Sequence, residues 1–157
     1  MRRSSTLRGV SDRALTVLYD ADCGFCRWSV AWILRHVPAG SIVPRTIQSP
    51  EGQALLEAAG VPPQDRLRAA HAHRAGDPPQ ALRSGGDVAP MVAPLLRGRT
   101  GRAAGLGARA LPGPVRRLLY GQVATNRVAI GRLVSQRRRA EADALLAAAG
   151  DGPRRDG

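Results

Sequence analysis

The sequence predicts an α/β fold, a three-layer sandwich in βαβ then ββα order with an added C-terminal helical segment. Three observations carry this reading. Residues 15–19, LTVLY, are a short β-branched and aromatic run of the kind a buried strand makes. A helix-periodic stretch follows almost at once, with both cysteines of the chain, Cys23 and Cys26, at its start. A second strand-like run and a second helix then complete the alternation.

Taken in order, residues 1–13 are polar and basic and are predicted to be disordered. After the first strand, Asp20-Ala21-Asp22 breaks the run. From Gly24 the apolar positions Cys26, Val30, Ile33, Leu34 and Val37 recur on one helical face until Pro38-Ala39-Gly40 ends it. Cys23 thus sits at or just before the first turn, and Cys26 on the core-facing stripe. Residues 42–47 read as a second strand, on an edge or bulged because of Pro44. Ser49-Pro50-Glu51 opens a helix as N-cap and first-turn proline, and Gly60 closes it.

Residues 66–73 predict a third strand, Gly76-Asp77-Pro78 a turn, and residues 80–83 a fourth strand. Residues 87–96 predict a helix crossed by Pro90 and Pro94. Residues 97–113 read as a Gly/Arg-rich connector. A long helix over 114–139 places Val115, Leu119, Val123, Ile130 and Leu133 along one side. Residues 141–149 continue it or form a separate helix, and 150–157 are a disordered tail. One domain over 14–100, with 101–149 packed on it, is the expected organisation.

Composition narrows the function. The chain of 157 residues carries a formal charge of +12, and all 24 basic residues are arginine. Such a charge favours acidic partners, anionic lipid or nucleic acid. The arginines are scattered, however, and aromatics make up only 3%. With few rings to stack on bases, a solvated basic surface is expected in place of a nucleic-acid site. The start has no apolar stretch of signal-peptide length and no run is long enough to span a bilayer, so a cytoplasmic location is expected. In that compartment two nearby cysteines point to redox or metal chemistry before a structural disulfide.

A thiol at a helix N-terminus meets unpaired N–H groups and the positive end of the helix dipole, which favour thiolate. Cys23 is therefore expected to ionise below the roughly 8.5 of a free thiol and to act as nucleophile. Cys26, one turn on and shielded, is the resolving thiol. The dithiol itself carries two electrons, so no cofactor is required. The expected partners are a disulfide-containing substrate and a thiol electron donor. Asp20 and Asp22 are capping or turn residues, or proton acceptors for Cys26.

The same residues admit other readings. His71 and His73 could join the cysteines around zinc, but no second metal-ligand pair accompanies them; they read as surface residues. Asp20-Ala21-Asp22 after a strand imitates a haloacid dehalogenase-type phosphotransferase motif, yet the chain has no lysine and no later acidic pair. Gly105-Leu106-Gly107 follows no strand and is no dinucleotide loop. Trp28 and Trp32, four apart, are expected on the side away from Cys26, covered by the C-terminal helix or by a partner. Asn126 within that helix is expected to find hydrogen-bond partners and lock it to the core. A non-enzymatic interaction module with a reducible cysteine pair is the competing class.

A βαβ unit, two antiparallel strands and a helix make the thioredoxin-like arrangement, with a C-x-x-C at the first βα connection. LYDADCGFCRWSVAWIL further resembles the DCC family of thiol-disulfide oxidoreductase-like proteins, whose D-x-x-C-x-x-C motif falls on Asp20, Cys23 and Cys26. IVPRTIQSPEGQALLEAAGV, SGGDVAPMVAPLL and LPGPVRRLLYGQVATNRVAIGRL resemble later segments of that family, with Tyr120, Asn126 and Arg127 on matching positions. The resemblance covers about residues 15–134 and implies a thioredoxin-like fold and disulfide oxidoreductase activity. Ala21 stands where the family usually carries Gly, and LRAAHAH is less hydrophobic than its third strand. Neither Pro62 nor Pro63 sits where thioredoxins place a proline beside the cysteines.

Overall fold

A computed structural model describes residues 14–150 of the chain. The readings of residues 1–13 and 151–157 as disordered lie outside the described residues. Strand β1 (Leu15–Tyr19) pairs in parallel with β2 (Ile42–Thr46) and antiparallel with β3 (His71–Arg74). β3 pairs antiparallel with the two-residue β4 (Arg83–Ser84), giving the order β2-β1-β3-β4. β2 is an edge strand, where the missing N–H of Pro44 is tolerated.

The period of β1 separates two cores. Leu15, Val17 and Tyr19 pack with Val30, Val92 and Leu146 on one face, under helices α1 (Gly24–Arg35), α3 (Ala89–Val92) and α6 (Gln136–Ala148). Leu18 packs with Ile47, Leu56 and Leu82 on the other, under α2 (Pro50–Ala58). The result is a mixed α/β architecture, with a four-stranded sheet between helices, consistent with a thioredoxin-like fold. α2 starts as its sequence requires: Ser49 Oγ accepts the Gly52 N–H at 3.0 Å, with Pro50 in the first turn. Gly60, at φ +75°, supplies the left-handed residue just past its end.

Elsewhere the structure corrects the sequence reading. The third strand begins at His71 because Pro63–Asp65 form a 3₁₀ turn and Arg66 is committed to the loop, its Nε donating to Val61 O at 3.1 Å. The fourth strand begins at Arg83, since Pro79–Ala81 form another 3₁₀ turn. Most of the expected connector is helix α4 (Gly98–Ala110). Its glycines serve close packing: a Cβ on Gly105 would stand 2.9 Å from Ala93 O.

The expected long helix is two, α5 (Gly113–Leu133) and α6, broken at Val134 with Ser135 capping α6. α5 also lies the other way round from its predicted apolar stripe. Of that stripe Val115, Leu119 and Leu133 are exposed, Val123 is exposed at the rim of a small inner cavity and Ile130 is half-buried, while Tyr120, Ala124, Arg127 and Gly131 turn inward. Arg116 fixes this orientation, its Nε donating to Gly86 O at 2.7 Å and its Nη2 to Asp87 Oδ1 at 3.0 Å. That hydrogen bond holds the Asp87 carboxyl below the usual range.

His71 is not a surface residue; only 1% of it is exposed. Its Nε2 meets Arg66 O at 2.9 Å, which can only accept, so Nε2 carries the proton and Nδ1 accepts from Ser84 Oγ at 2.7 Å. Desolvation by burial lowers its pKa below 6.5, against the smaller opposing effect of Arg66 O. An unfolded chain then binds the proton more readily, so stability falls as pH drops below about 6.5 and levels off below the depressed folded pKa. Thermal melts at pH 7.5 and 5.5 should show this loss, and His71→Gln should remove its share of it. A pH response unchanged in the variant would refute the assignment.

Candidate active site

The strand-to-helix turn is built around Asp20, which is only 9% exposed. Asp20 Oδ1 accepts the Asp22 N–H at 3.0 Å and Gln48 Nε2 at 2.8 Å. The Gln48 carbonyl oxygen in turn accepts the Ala21 N–H at 3.1 Å. Asp20 Oδ2 faces Arg127 Nη2 at 3.8 Å, and Arg127 Nη1 donates to Leu67 O at 2.7 Å. One carboxylate therefore ties together the turn, the segment after β2 and helix α5.

The N-cap of α1 is Cys23 itself, not an aspartate. Its Sγ accepts the Cys26 N–H at 3.2 Å, which answers one of the unpaired donors of the first turn. Cys23 and Cys26 are joined as a disulfide, with their Cα atoms 5.2 Å apart. Both are partly exposed, and Cys26 packs against the core. Asp22 is exposed.

Helix α6 braces this end of α1. Arg27 reaches Asp143 through Nε at 2.9 Å and Nη2 at 2.5 Å. Arg139 Nη2 donates to Gly131 O at 2.6 Å, while its buried Nε has no hydrogen-bond partner. That nitrogen lies so close to Gly24 that a Cβ there would be 3.8 Å from it. Guanidinium groups thus lie against the residue between the cysteines and against Asp20. Of these, the Arg127 charge is offset by Asp20 and the Arg27 charge by Asp143.

Tyr120 closes the site from α5. Its hydroxyl accepts the Ala70 N–H at 2.7 Å, and burial raises the phenol pKa. A small cavity of about 50 Å³ lies among Asp20, Cys26, Ala70, Tyr120 and Arg127. Beside it opens an apolar groove of about 420 Å³, lined by Cys26, Trp28, Trp32, Val92, Ala104 and Tyr120 among others. The expectation that the C-terminal helix covers Trp28 and Trp32 away from Cys26 is therefore corrected. They share a groove with Cys26, because the α4 residues opposite, Ala104 and Ala108, are too small to fill it. Trp32 stacks on the His36 ring at 4.1 Å between centroids.

The expectation for Asn126 also fails. It is exposed and donates to Gln122 O of its own helix at 2.8 Å, locking nothing to the core. Tyr120 and Arg127 are brought to the cysteines; Asn126 is not. His71 and His73 join no metal-like set, and no cluster of three or more His, Cys, Asp or Glu stands together among the described residues. Gln48 and Arg139 were not foreseen. The parallel register Tyr19↔Thr46 puts residues after β2 beside those after β1, a signal that could have found Gln48. Arg139 had none, since only the break before α6 brings it back.

A family model described as DCC1-like thiol-disulfide oxidoreductase matches residues 17–133. Comparison with curated proteins and with solved structures gives no match.

Proposed function

The chain belongs to the DCC1-like thiol-disulfide oxidoreductase family, and on that premise we propose that it reduces substrate disulfides through Cys23 and Cys26. The Cys23 thiolate attacks one sulfur of the substrate disulfide. A Cys23–substrate bond forms, and the other substrate sulfur leaves as thiolate. Cys26 loses its proton and attacks Cys23 Sγ, releasing the second substrate thiol and closing the Cys23–Cys26 disulfide. Two electrons pass from the dithiol to the substrate, and an external thiol restores the pair. A reducing cytoplasm suits that direction.

The observation that carries the reading is Cys23 at the N-cap, its Sγ already accepting the Cys26 N–H. A thiolate there keeps that donor and gains the helix dipole. Asp20 organises the turn with Gln48 and Arg127, and is a candidate to take the Cys26 proton. The competing reading as a docking module joins this one, because the groove holding Trp28 and Trp32 also holds Cys26. An apolar segment of the disulfide-bearing partner lies in that groove while its sulfur meets Cys23.

The test compares a small aromatic disulfide with a peptide disulfide flanked by apolar residues. Trp32→Ala should raise KM for the peptide by about fivefold to tenfold, as lost apolar burial predicts, and leave turnover of the small disulfide unchanged. Equal effects on both substrates would remove the groove from recognition. No turnover of either by the wild type would sink the oxidoreductase reading.

A further inference from the structure

We propose that the groove beside Cys26 takes a hydrocarbon chain, so that the substrate is a disulfide carried on an alkyl arm. The inference deepens the exchange reading, on which it rests, by naming the substrate class. The groove runs along α1 from Phe25 and Cys26 to Trp32 and Ile33, a rise of about 12 Å. Its floor reaches the main core at Val17, Tyr19 and Val30. Across from α1, Ala104 and Ala108 of α4 stand where larger side chains would close it. At about 420 Å³ it lies within the size range of small-molecule sites, roughly 300–1,000 Å³.

The polar atoms of the lining identify the occupant, because they are already committed to one another. The Ala70 N–H goes to the Tyr120 hydroxyl at 2.7 Å, and the Ala70 carbonyl accepts the Gly85 N–H at 2.9 Å. The Gly85 carbonyl accepts the Val88 N–H at 3.1 Å, and Ser29 Oγ donates to Phe25 O at 2.8 Å. The Cys26 N–H goes to Cys23 Sγ. Beneath them β1 is paired on both sides, so it presents side chains and no free backbone. Among the described residues no charged side chain lines the groove. An extended peptide laid along it would bury amides without partners, and their bonds to water would go unreplaced. Apolar side chains of a peptide can enter the mouth, but only a chain without amides fills the length at no such cost. A methylene chain gives up nothing polar and gains apolar burial along two turns of α1. Because the groove ends at Cys26, a disulfide borne on that chain arrives beside Cys23. The exchange then balances as above. Cys23 bonds to one substrate sulfur while the other leaves, and attack by Cys26 on Cys23 Sγ frees the first. The dithiol is oxidised and the substrate departs as two thiols.

The chain has two tryptophans and both line the groove, so intrinsic fluorescence of the full chain reports its occupancy. One arm of the experiment titrates octanol, which carries no disulfide, into the oxidised protein. The other measures reduction of hydroxyethyl disulfide and of mixed hydroxyethyl–alkyl disulfides with chains of about two, four and six carbons. Octanol should shift the tryptophan emission, and KM should fall about fivefold to tenfold for every two methylenes added. Octanol should also compete with the hexyl disulfide and not with hydroxyethyl disulfide. Ala104→Phe/Ala108→Phe fills the groove from α4 and should abolish both the octanol response and the chain-length dependence. Ala104 is exposed, so Ala104→Phe alone tests the same point should the double variant melt lower than the wild type. A KM independent of chain length, a dependence kept by the filled variants, or no response to octanol would each overturn the proposal. So would a peptide disulfide flanked by apolar residues with a KM as low as that of the hexyl compound, since the groove would then accept backbone. Turnover of hydroxyethyl disulfide in any of these cases would leave the exchange reading standing. A wild type that reduces none of the disulfides would sink the exchange reading itself, and the substrate class with it.

Discussion

Cys23→Ser is expected to reduce disulfide turnover to the uncatalysed background, the largest functional effect of any single substitution in this chain. A serine hydroxyl can still accept the Cys26 N–H, so the helix start and the fold should survive. Cys26→Ser should behave differently. It keeps the attacking sulfur and loses the resolving one, so it should accumulate a covalent adduct with a peptide disulfide. Mass spectrometry of the two variants after quenching with acid separates these roles. An adduct on Cys26 in the Cys23→Ser protein would reverse the assignment.

Asp20→Ala should have the largest effect on stability. It leaves the Gln48 amide, the Asp22 N–H and the Arg127 guanidinium without the carboxylate that now joins them. Losing a buried acceptor with a charged partner costs about 2–3 kcal/mol. For a chain of this size that lowers Tm by roughly 5–10 °C. Asp20→Asn keeps a side-chain oxygen for the turn and gives up only the partly exposed ion pair, so it should lose about 1 kcal/mol or less. Urea unfolding of both variants provides the check. An Asp20→Ala protein as stable as the wild type would mean that the carboxylate anchors nothing.

The central part of this structure was legible in the sequence because it obeys local rules. The period of LTVLY, the Cys26-Val30-Ile33-Leu34 stripe and the Ser49-Pro50 helix start each dictate one arrangement. Burial of the Cys26 side and Cys23 at the first turn followed from the same spacing. What misled was α5. Its leucines and valines recur at helical spacing, yet Arg116, Tyr120 and Arg127 hold the opposite side inward through hydrogen bonds to Gly86, Ala70 and Leu67. Polar anchors at distant positions overrode the apolar pattern, and spacing within the helix cannot reveal them. The glycines of α4 misled for a related reason: they read as a linker, while Gly101 and Gly105 are buried. Gln48 and Arg139 reach the cysteines only through tertiary packing.

The measurement that tests the account most directly is the rate of alkylation of the reduced protein as a function of pH, with the modified cysteine identified at each point. A thiolate at the N-cap of α1, where it meets the first-turn N–H of Cys26 and the positive end of the helix dipole, is predicted to titrate well below the roughly 8.5 of a free thiol, with Cys23 alkylated first. A Cys23 that titrates like a free thiol, or a Cys26 that reacts before it, would contradict the proposed chemistry.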